Sequence, residues 1–215
     1  MGLFLVLLAA GDGKRLKSKV PKPYNKVNNK TLLEYALNAF SNCSEIKKTV
    51  IVYNKKHKKH LKTCQHNNLI KIVGGKTRQE STFIALQKIN KMGCKKVLIH
   101  DSARPSPPKR LIKKIIHNLK KNHAVVPVIK INDATKRTQK NMIFKNIQRD
   151  SLRFSQTPQG FTFSKIYEKH KENINESFDD DSALFTNYGE KVLAVSGSKT
   201  NLKITDNEDL DIFKS

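Results

Sequence analysis

Leu3-Phe4-Leu5-Val6-Leu7-Leu8-Ala9-Ala10-Gly11-Asp12-Gly13-Lys14-Arg15-Leu16 runs from an apolar stretch straight into a glycine turn. The apolar part is far shorter than the roughly 20 residues a membrane-spanning helix needs. Nothing basic precedes it and Gly11–Arg15 follows at once, so it reads as a buried first strand rather than a signal-peptide core. A glycine turn directly after the first strand of an α/β sheet lets backbone N–H groups approach phosphate closely. It is not a dinucleotide fingerprint, because Leu16 stands where the third Gly or Ala belongs, and the Walker pattern GxxxxGK[ST] is absent. Alone, the turn serves either as a phosphate loop or as a plain tight turn. Lys14, Arg15 and Lys22 flank it, and phosphoryl or nucleotidyl transfer needs cations aimed at charge developing around phosphorus.

Outward from this stretch the alternation continues. β-like runs fall at Thr49–Tyr53, Leu69–Val73, Val97–Ile99, Ala124–Ile129 and Val192–Val195. Helical patterns fall at Thr31–Phe40, from Thr77 through Ile89, and at Leu111–Leu119, Phe163–Lys171 and Asp180–Tyr188, with a last helix from Asp206. This order predicts an α/β fold with a parallel sheet covered by helices on both faces. Thr77 with Glu80, and Thr205 with Glu208, are spaced as cap pairs. Residues 130–154 are polar and basic with no core face, and a structureless loop of about 25 residues is improbable inside a compact domain. A protruding β-arm packing on a second subunit explains them better, so residues 1–215 read as one domain with an arm.

The charge is extreme: 42 Lys+Arg against 18 Asp+Glu, a formal net charge of +24. Such an excess attracts polyanions. Lys and Asn also crowd the loops and exposed helix faces, so biased composition accounts for most of the excess, and only cations at motif-dictated spacing carry information. With no Trp and an aromatic share of 7%, the stacking platforms of nucleic-acid binders are missing, as is a helix-turn-helix, and no specific nucleic acid is expected. Cys43, Cys64 and Cys94 are odd in number and form no CxxC pair, which suits a reducing cytoplasm. His57, His60, Cys64 and His66 lie close together, but in a Lys-rich segment of low apolarity. Closed zinc sites usually draw ligands from two separate segments.

Two further motifs carry chemistry. In Val97-Leu98-Ile99-His100-Asp101-Ser102-Ala103-Arg104-Pro105, the carboxylate lies at the carboxyl edge of the sheet, where α/β proteins bind ligands. Beside triphosphate oxygens it is a natural magnesium ligand. The bland alternative is an Asp–Arg pair closing a turn. Gly74-Gly75-Lys76-Thr77-Arg78-Gln79-Glu80-Ser81 repeats strand, glycine turn and capped helix, and either wraps a base or simply connects two elements.

LAAGDGKRL, VPKPY, GGKTRQES, VLIHDSARP, the region from Arg149 to TPQ, DDDSAL and NLKIT, in this order, resemble the 2-C-methyl-D-erythritol 4-phosphate cytidylyltransferase family nearly end to end. The resemblance implies a Rossmann-like nucleotidyltransferase sheet and transfer of CMP from CTP to a sugar-alcohol phosphate with Mg2+ or another divalent cation. It also implies a homodimer formed through the arm. Arg15 and Lys22 would stabilise the pentacoordinate phosphorus. Ala9, Ala10, Gly11 and Gly13 would shape the triphosphate loop. Gly75, Lys76 (by backbone) and Ser81 would recognise cytosine and its sugar, with Arg78 organising that turn. Asp101 and Arg104 would stand between nucleotide and acceptor, Asp101 placing the metal or the acceptor hydroxyls. Arg149, from a neighbouring arm, and Thr157 would grip the acceptor phosphate, and Lys203 would complete the cationic wall.

No general base is required, because the attacking phosphate oxygen is already anionic and positioning with electrostatics can catalyse the transfer. Two departures stand out. Pro23 replaces the usual glutamine of Pro-Lys-Gln-Tyr. Asp133-Ala134-Thr135-Lys136 replaces Asp-Thr-x-Lys, so Thr135 takes the acceptor contact through a local shift or the contact is lost. Some relatives carry a fused cyclodiphosphate synthase domain, which 215 residues are not expected to hold. The rival readings are a cytidylyltransferase for another sugar-alcohol phosphate such as ribitol 5-phosphate, a basic nucleic-acid-binding protein, and an inactive scaffold. The last is disfavoured by the retained basic loop and Asp101.

Overall fold

A computed structural model describes residues 2–11, 13, 16, 18, 20–64 and 68–214. Strand β1 (Leu3–Ala9) sends Leu3, Leu5, Leu7 and Ala9 into one core, and Phe4 and Val6 into another. A strand buried on both faces has no solvent side, which is why its sequence shows a continuous apolar run instead of alternation. A short hairpin of β2 (Lys26–Val27) and β3 (Lys30–Thr31) follows, turning through Asn28 and Asn29 at positive φ. Helix α1 (Leu32–Ser41) then starts from a reciprocal capping box between Thr31 and Glu34.

Strands β4 (Ile46–Tyr53) and β6 (Lys96–Asp101) flank β1 in parallel, and β5 (Leu69–Val73) extends the sheet beyond β4. On the other side the sheet, expected to be parallel, is mixed. Strand β11 (Gln159–Thr162) runs antiparallel between β6 and β7 (Ala124–Lys130). Strands β10 (Arg153–Ser155) and β12 (Leu193–Ser196) both pair with β7, antiparallel and parallel respectively. The main path is β10-β7-β11-β6-β1-β4-β5. The sequence Gln159-Gly160-Phe161-Thr162 hides this central strand because it has one large apolar residue. A Cβ at Gly160 would lie 2.8 Å from Ile115 Cγ2, so the glycine lets helix α3 (Lys109–Asn118) approach the sheet.

Helices α1 and α3 (Lys109–Asn118) cover one face with Leu33, Leu37, Phe40, Ile112 and Ile115. Helices α2 (Arg78–Ile89), α4 (Phe163–Glu172) and α5 (Ala183–Thr186) cover the other with Leu86, Ile89, Phe163, Ile166 and Phe185. Helix α5 is shorter than the expected Asp180–Tyr188, because the Asp180 carboxylate accepts the N–H groups of Ser182 and Ala183 and fixes a later start. Helix α6 (Asn207–Lys214) is capped by Asp206, whose Oδ1 accepts the Asp209 N–H at 3.1 Å. The expected Thr205–Glu208 pair is thus replaced by one set a residue later, since the Asp209 carboxylate takes the Thr205 N–H.

Within 130–154, strands β8 (Thr135–Gln139) and β9 (Met142–Ile147) form a separate two-stranded sheet. Their turn passes through Lys140 and Asn141 at positive φ, the backbone of a two-residue hairpin. Met142, Ile143 and Phe144 are exposed on it. No helix among the described residues is long and apolar enough to cross a membrane.

Phe161 is fully buried in the unforeseen central strand and stacks on Phe185 with ring centroids 5.4 Å apart. Phe161→Ala is expected to lower unfolding free energy by about 3–5 kcal/mol, the range for truncating a buried aromatic. Chemical denaturation measures it, and a loss below about 1 kcal/mol would mean that the site collapses or that β11 is not central.

Candidate functional site

The turns after β1 and β5 and the end of β6 meet at one edge of the sheet around a cleft of about 350 Å³. Ala10, Gly11, Gly13, Lys22, Gly75, Lys76, Ser81, Asp101 and Lys203 all line it. Leu8, Pro23, Thr77, Arg78, Ser102 and Ala103 line it too. Ala9 does not: its side chain is packed in the core beneath the turn. Arg15 and its neighbour Lys14 lie outside the described residues.

Gly13 adopts φ +64°, and a Cβ there would come 2.3 Å from the Lys22 Cβ. The glycine therefore serves two needs, a left-handed backbone and close passage of the buried Lys22 stem. At the second turn, the Thr77 hydroxyl accepts the Glu80 N–H at 3.0 Å and caps α2. The reciprocal bond expected at Thr77 goes to its neighbour: the Glu80 carboxylate accepts the Lys76 N–H at 2.7 Å. Gly75 N–H donates to the Ser81 hydroxyl at 3.1 Å. A Cβ on Gly75 would strike the Glu80 side chain at 2.3 Å, so this turn is built by glycine folding onto the first turn of the helix.

Asp101 is the electrostatic centre. Its Oδ1 accepts from Arg78 Nε at 3.2 Å and its Oδ2 from Lys203 Nζ at 2.9 Å. Burial alone would raise this carboxyl, but the two cations overcome burial and hold it well below the usual carboxylate range. Arg78 in turn binds Asp181 Oδ2 through NH1 at 2.7 Å. Lys203 is placed by its neighbour Ile204, which is fully buried and whose N–H donates to Ala103 O at 2.8 Å.

A polar layer lies behind the carboxylate. The Asp101 N–H donates to Thr157 Oγ1 at 3.1 Å, and the Thr157 hydroxyl meets His100 Nδ1 at 3.0 Å. His100 Nε2 lies 2.9 Å from Arg104 O, which can only accept, so Nε2 carries the proton and Nδ1 accepts from Thr157. The Thr157 hydroxyl, expected to grip acceptor phosphate, is thus spent in holding Asp101. Arg104 is buried and donates to the carbonyls of Asn201 at 2.8 Å and Ser155 at 3.3 Å, away from the cleft lining. Asn201 Nδ2 donates to Thr157 O at 2.8 Å, and Gln156 Nε2 donates to Ser198 O at 2.9 Å. Sequence reasoning did not single out His100, Gln156, Asp181 or Asn201, although each sits inside or beside a quoted motif.

Thr135 and Arg149 are not in the cleft of this chain. Thr135 opens β8 and its hydroxyl donates to Asp133 O at 3.4 Å. Arg149 lies in the 3-10 turn Arg149–Ser151 at the foot of the hairpin and binds Asn132 O. His57 and His60 pack their rings on Tyr24, with 4.8 Å between the Tyr24 and His60 centroids, and His66 lies outside the described residues. Among the described residues no group of three or more His, Cys, Asp or Glu could hold a metal ion.

Burial drives the His100 imidazole down to about 4. A base depressed in the fold adds stability fully above its unfolded value near 6.5 and loses it as pH falls toward 4. Unfolding free energy is therefore expected to drop between about pH 6.5 and 4 with a slope of up to about 1.4 kcal/mol per pH unit from this group. Denaturation at several pH values tests it: His100→Gln, which keeps a donor toward Arg104 O, should flatten the slope, and an unchanged slope would refute the assignment.

The sequence model of the 2-C-methyl-D-erythritol 4-phosphate cytidylyltransferase (IspD) family matches residues 3–214. The chain is 38% identical over 210 residues to a bifunctional IspD/IspF enzyme of Pelagibacter ubique (strain HTCC1062), covering 98% of this chain and 56% of that protein. It is 33% identical to a 2-C-methyl-D-erythritol 4-phosphate cytidylyltransferase of Clostridioides difficile (strain 630), covering 97% and 90%. The crystal structure of 4-diphosphocytidyl-2C-methyl-D-erythritol synthase from Anaerococcus prevotii DSM 20548 superposes with a TM-score of 0.85 at 31% identity, covering 99% and 94%. With its glycine turns, its cations and its central carboxylate on the same sheet edge, the chain belongs to the 2-C-methyl-D-erythritol 4-phosphate cytidylyltransferase family.

Proposed function

We propose that this protein transfers CMP from CTP to 2-C-methyl-D-erythritol 4-phosphate, giving 4-diphosphocytidyl-2-C-methyl-D-erythritol and pyrophosphate in isoprenoid precursor synthesis. The observation that carries the reading is the convergence of two glycine turns with Lys22, Arg78 and Lys203 around Asp101 in a single cleft. The substrate phosphate oxygen attacks the α-phosphorus of CTP, the new P–O bond forms as the bond to pyrophosphate breaks, and no proton need move. The contribution of the chain is then a preorganised positive wall that binds charge more strongly in the transition state than in the ground state. Lys22, held against Gly13, is the residue we assign to the developing negative charge, together with Arg15.

Magnesium is the proposed metal, with Asp101 to hold it. The donor chemistry fits: Asp101 is the one carboxylate lining the cleft among the described residues, and magnesium is usually held by one or two carboxylates plus substrate phosphates. When bound, the ion neutralises phosphate charge, while Lys203 and Arg78 keep the carboxylate ionised to receive it. The acceptor half is assigned to Thr135 and Arg149 from a second copy of the chain. Their absence from the cleft lining and the exposed Met142, Ile143 and Phe144 support a homodimer through the hairpin of a one-domain subunit. Three free cysteines accord with a reducing cytoplasmic setting.

Pyrophosphate release by the purified protein with CTP, magnesium and either methylerythritol phosphate or ribitol phosphate tests the assignment. Release with the first alone is expected, and release with ribitol phosphate alone would overturn the substrate. Lys22→Ala should lower turnover about a hundredfold or more, the scale for losing one preorganised donor; near-normal turnover would remove its role. Phe144→Asp should yield monomer by light scattering and lower turnover with it, and an active monomer would exclude a shared site.

A further inference from the structure

The ion pairs at Asp101 do not end at the cleft. Arg78 opens α2 and spans two carboxylates, Asp101 through Nε and Asp181 through NH1. The other Asp181 oxygen accepts from His170 Nε2 at 3.1 Å. The Asp181 and His170 side chains are 1% and 0% exposed and neither lines the cleft, whereas Arg78 is 27% exposed and does. His170 is stacked parallel to Phe83 with centroids 6.1 Å apart, which fixes the plane of its ring. Its Nδ1 has no partner among the described residues, so the polar contact of this imidazole goes to Asp181.

A buried carboxylate is tolerated only when it is paired. Burial would raise the Asp181 carboxyl, yet Arg78 and His170 lower it, so it is retained as an anion with two fixed donors. A guanidinium held by carboxylates at two of its nitrogens loses its freedom to rotate, because its donors form a rigid planar fork. With Asp101 alone, Arg78 could pivot about a single bond at the cleft wall. With Asp181 as well, its plane is set.

Resting on the cytidylyl-transfer reading, we propose that Asp181 is a positioning residue for the reaction: braced by His170, it sets the plane of Arg78 at the nucleotide cleft. Neither Asp181 nor His170 touches substrate. Their effect passes through Arg78, and that separates the role from simple bracing of α2, α4 and the segment before α5.

The test is a double-mutant cycle on the full chain, with pyrophosphate release as readout and thermal melting to confirm folding. Asp181→Asn should lower kcat about tenfold or more, the order of loss when a reacting group is displaced by a fraction of an ångström to an ångström. The KM for CTP should change less than kcat. Arg78→Lys should show a comparable loss, and adding Asp181→Asn to it should cost less than about a further twofold, because the shared partner is already gone. Losses that multiply, or a folded Asp181→Asn with normal kcat and only a lower melting temperature, would overturn the proposal. If Asp181→Asn does not fold, His170 decides. His170→Gln, whose amide nitrogen can replace Nε2, should keep most of the turnover that His170→Ala loses, and equal turnover in the two would overturn it. Silence of the folded unmutated protein with CTP and either acceptor would instead remove the cytidylyl-transfer reading, and this inference with it.

Discussion

A carboxylate at the buried end of a central strand is unstable without cations beside it, and the arrangement of this site follows from how Asp101 meets that need. Its two oxygens draw in Arg78 from the start of α2 and Lys203 from the segment before α6. Each cation brings its own backbone: the glycine turn ahead of Arg78, and the Ile204 N–H bond to Ala103. Three segments distant in sequence are thereby fixed at one sheet edge. The anion also keeps cations together that would otherwise repel one another across a small cleft. On the proposed reading, a triphosphate entering the cleft would meet charges already in place, leaving little reorganisation for the reaction itself.

Behind the cleft, the polar side chains are spent on holding loops. The Thr157 hydroxyl accepts from the Asp101 backbone and donates to His100, whose other nitrogen fixes the Arg104 carbonyl. Arg104 then clamps Asn201 and Ser155, and Asn201 returns to the Thr157 carbonyl. These bonds form a closed circuit in which the His100, Arg104 and Asn201 side chains each donate to a backbone carbonyl. Such a circuit is costly if one member is removed, because the partner left behind stays buried and unsatisfied. Arg104 and Thr157 are therefore tied to the site through the loops that carry Asp101 and Lys203, without lining the cleft.

This explains how much the sequence discloses. The parallel half of the sheet was legible because strand residues buried on both faces must be apolar, as along β1, Val50–Tyr53 of β4 and Val97–Ile99 of β6. The turns were legible because close backbone passage requires glycine, as at Gly13 beside Lys22 and Gly75 beside Glu80. Strand β11 was not, since it has only Phe161 as a large apolar residue and depends on Gly160 to admit α3. Asp101 could be found as a carboxylate at a strand end, and the cations beside it by their motif spacing. The second partner of Arg78 could not: three consecutive aspartates, residues 179–181, look alike in sequence, and only packing shows that Asp181 is buried on Arg78 while Asp180 caps a turn. Residue type announces chemistry, but the division of labour among like residues is set by burial.

The two halves of the site differ in this respect. Every described residue assigned to the triphosphate or base, apart from Ala9, lines the cleft within one chain. Of the residues assigned to the acceptor, Thr135 lies in a separate two-stranded sheet whose apolar side chains lie open, and Arg149 in the turn at its foot. Thr135 is the first residue of β8, and the displaced Ala134 precedes the strand. Strand alternation, which would send a residue shifted by one to the opposite face, therefore does not yet apply between them. A shift at this junction can be taken up by the irregular backbone from Asn132 to Ala134 without turning the hairpin over. On this proposed assignment, the nucleotide half would be constrained by a buried ionic network and the acceptor half by a solvent-exposed hairpin, which would leave acceptor choice as the property that sequence change alters at least structural cost.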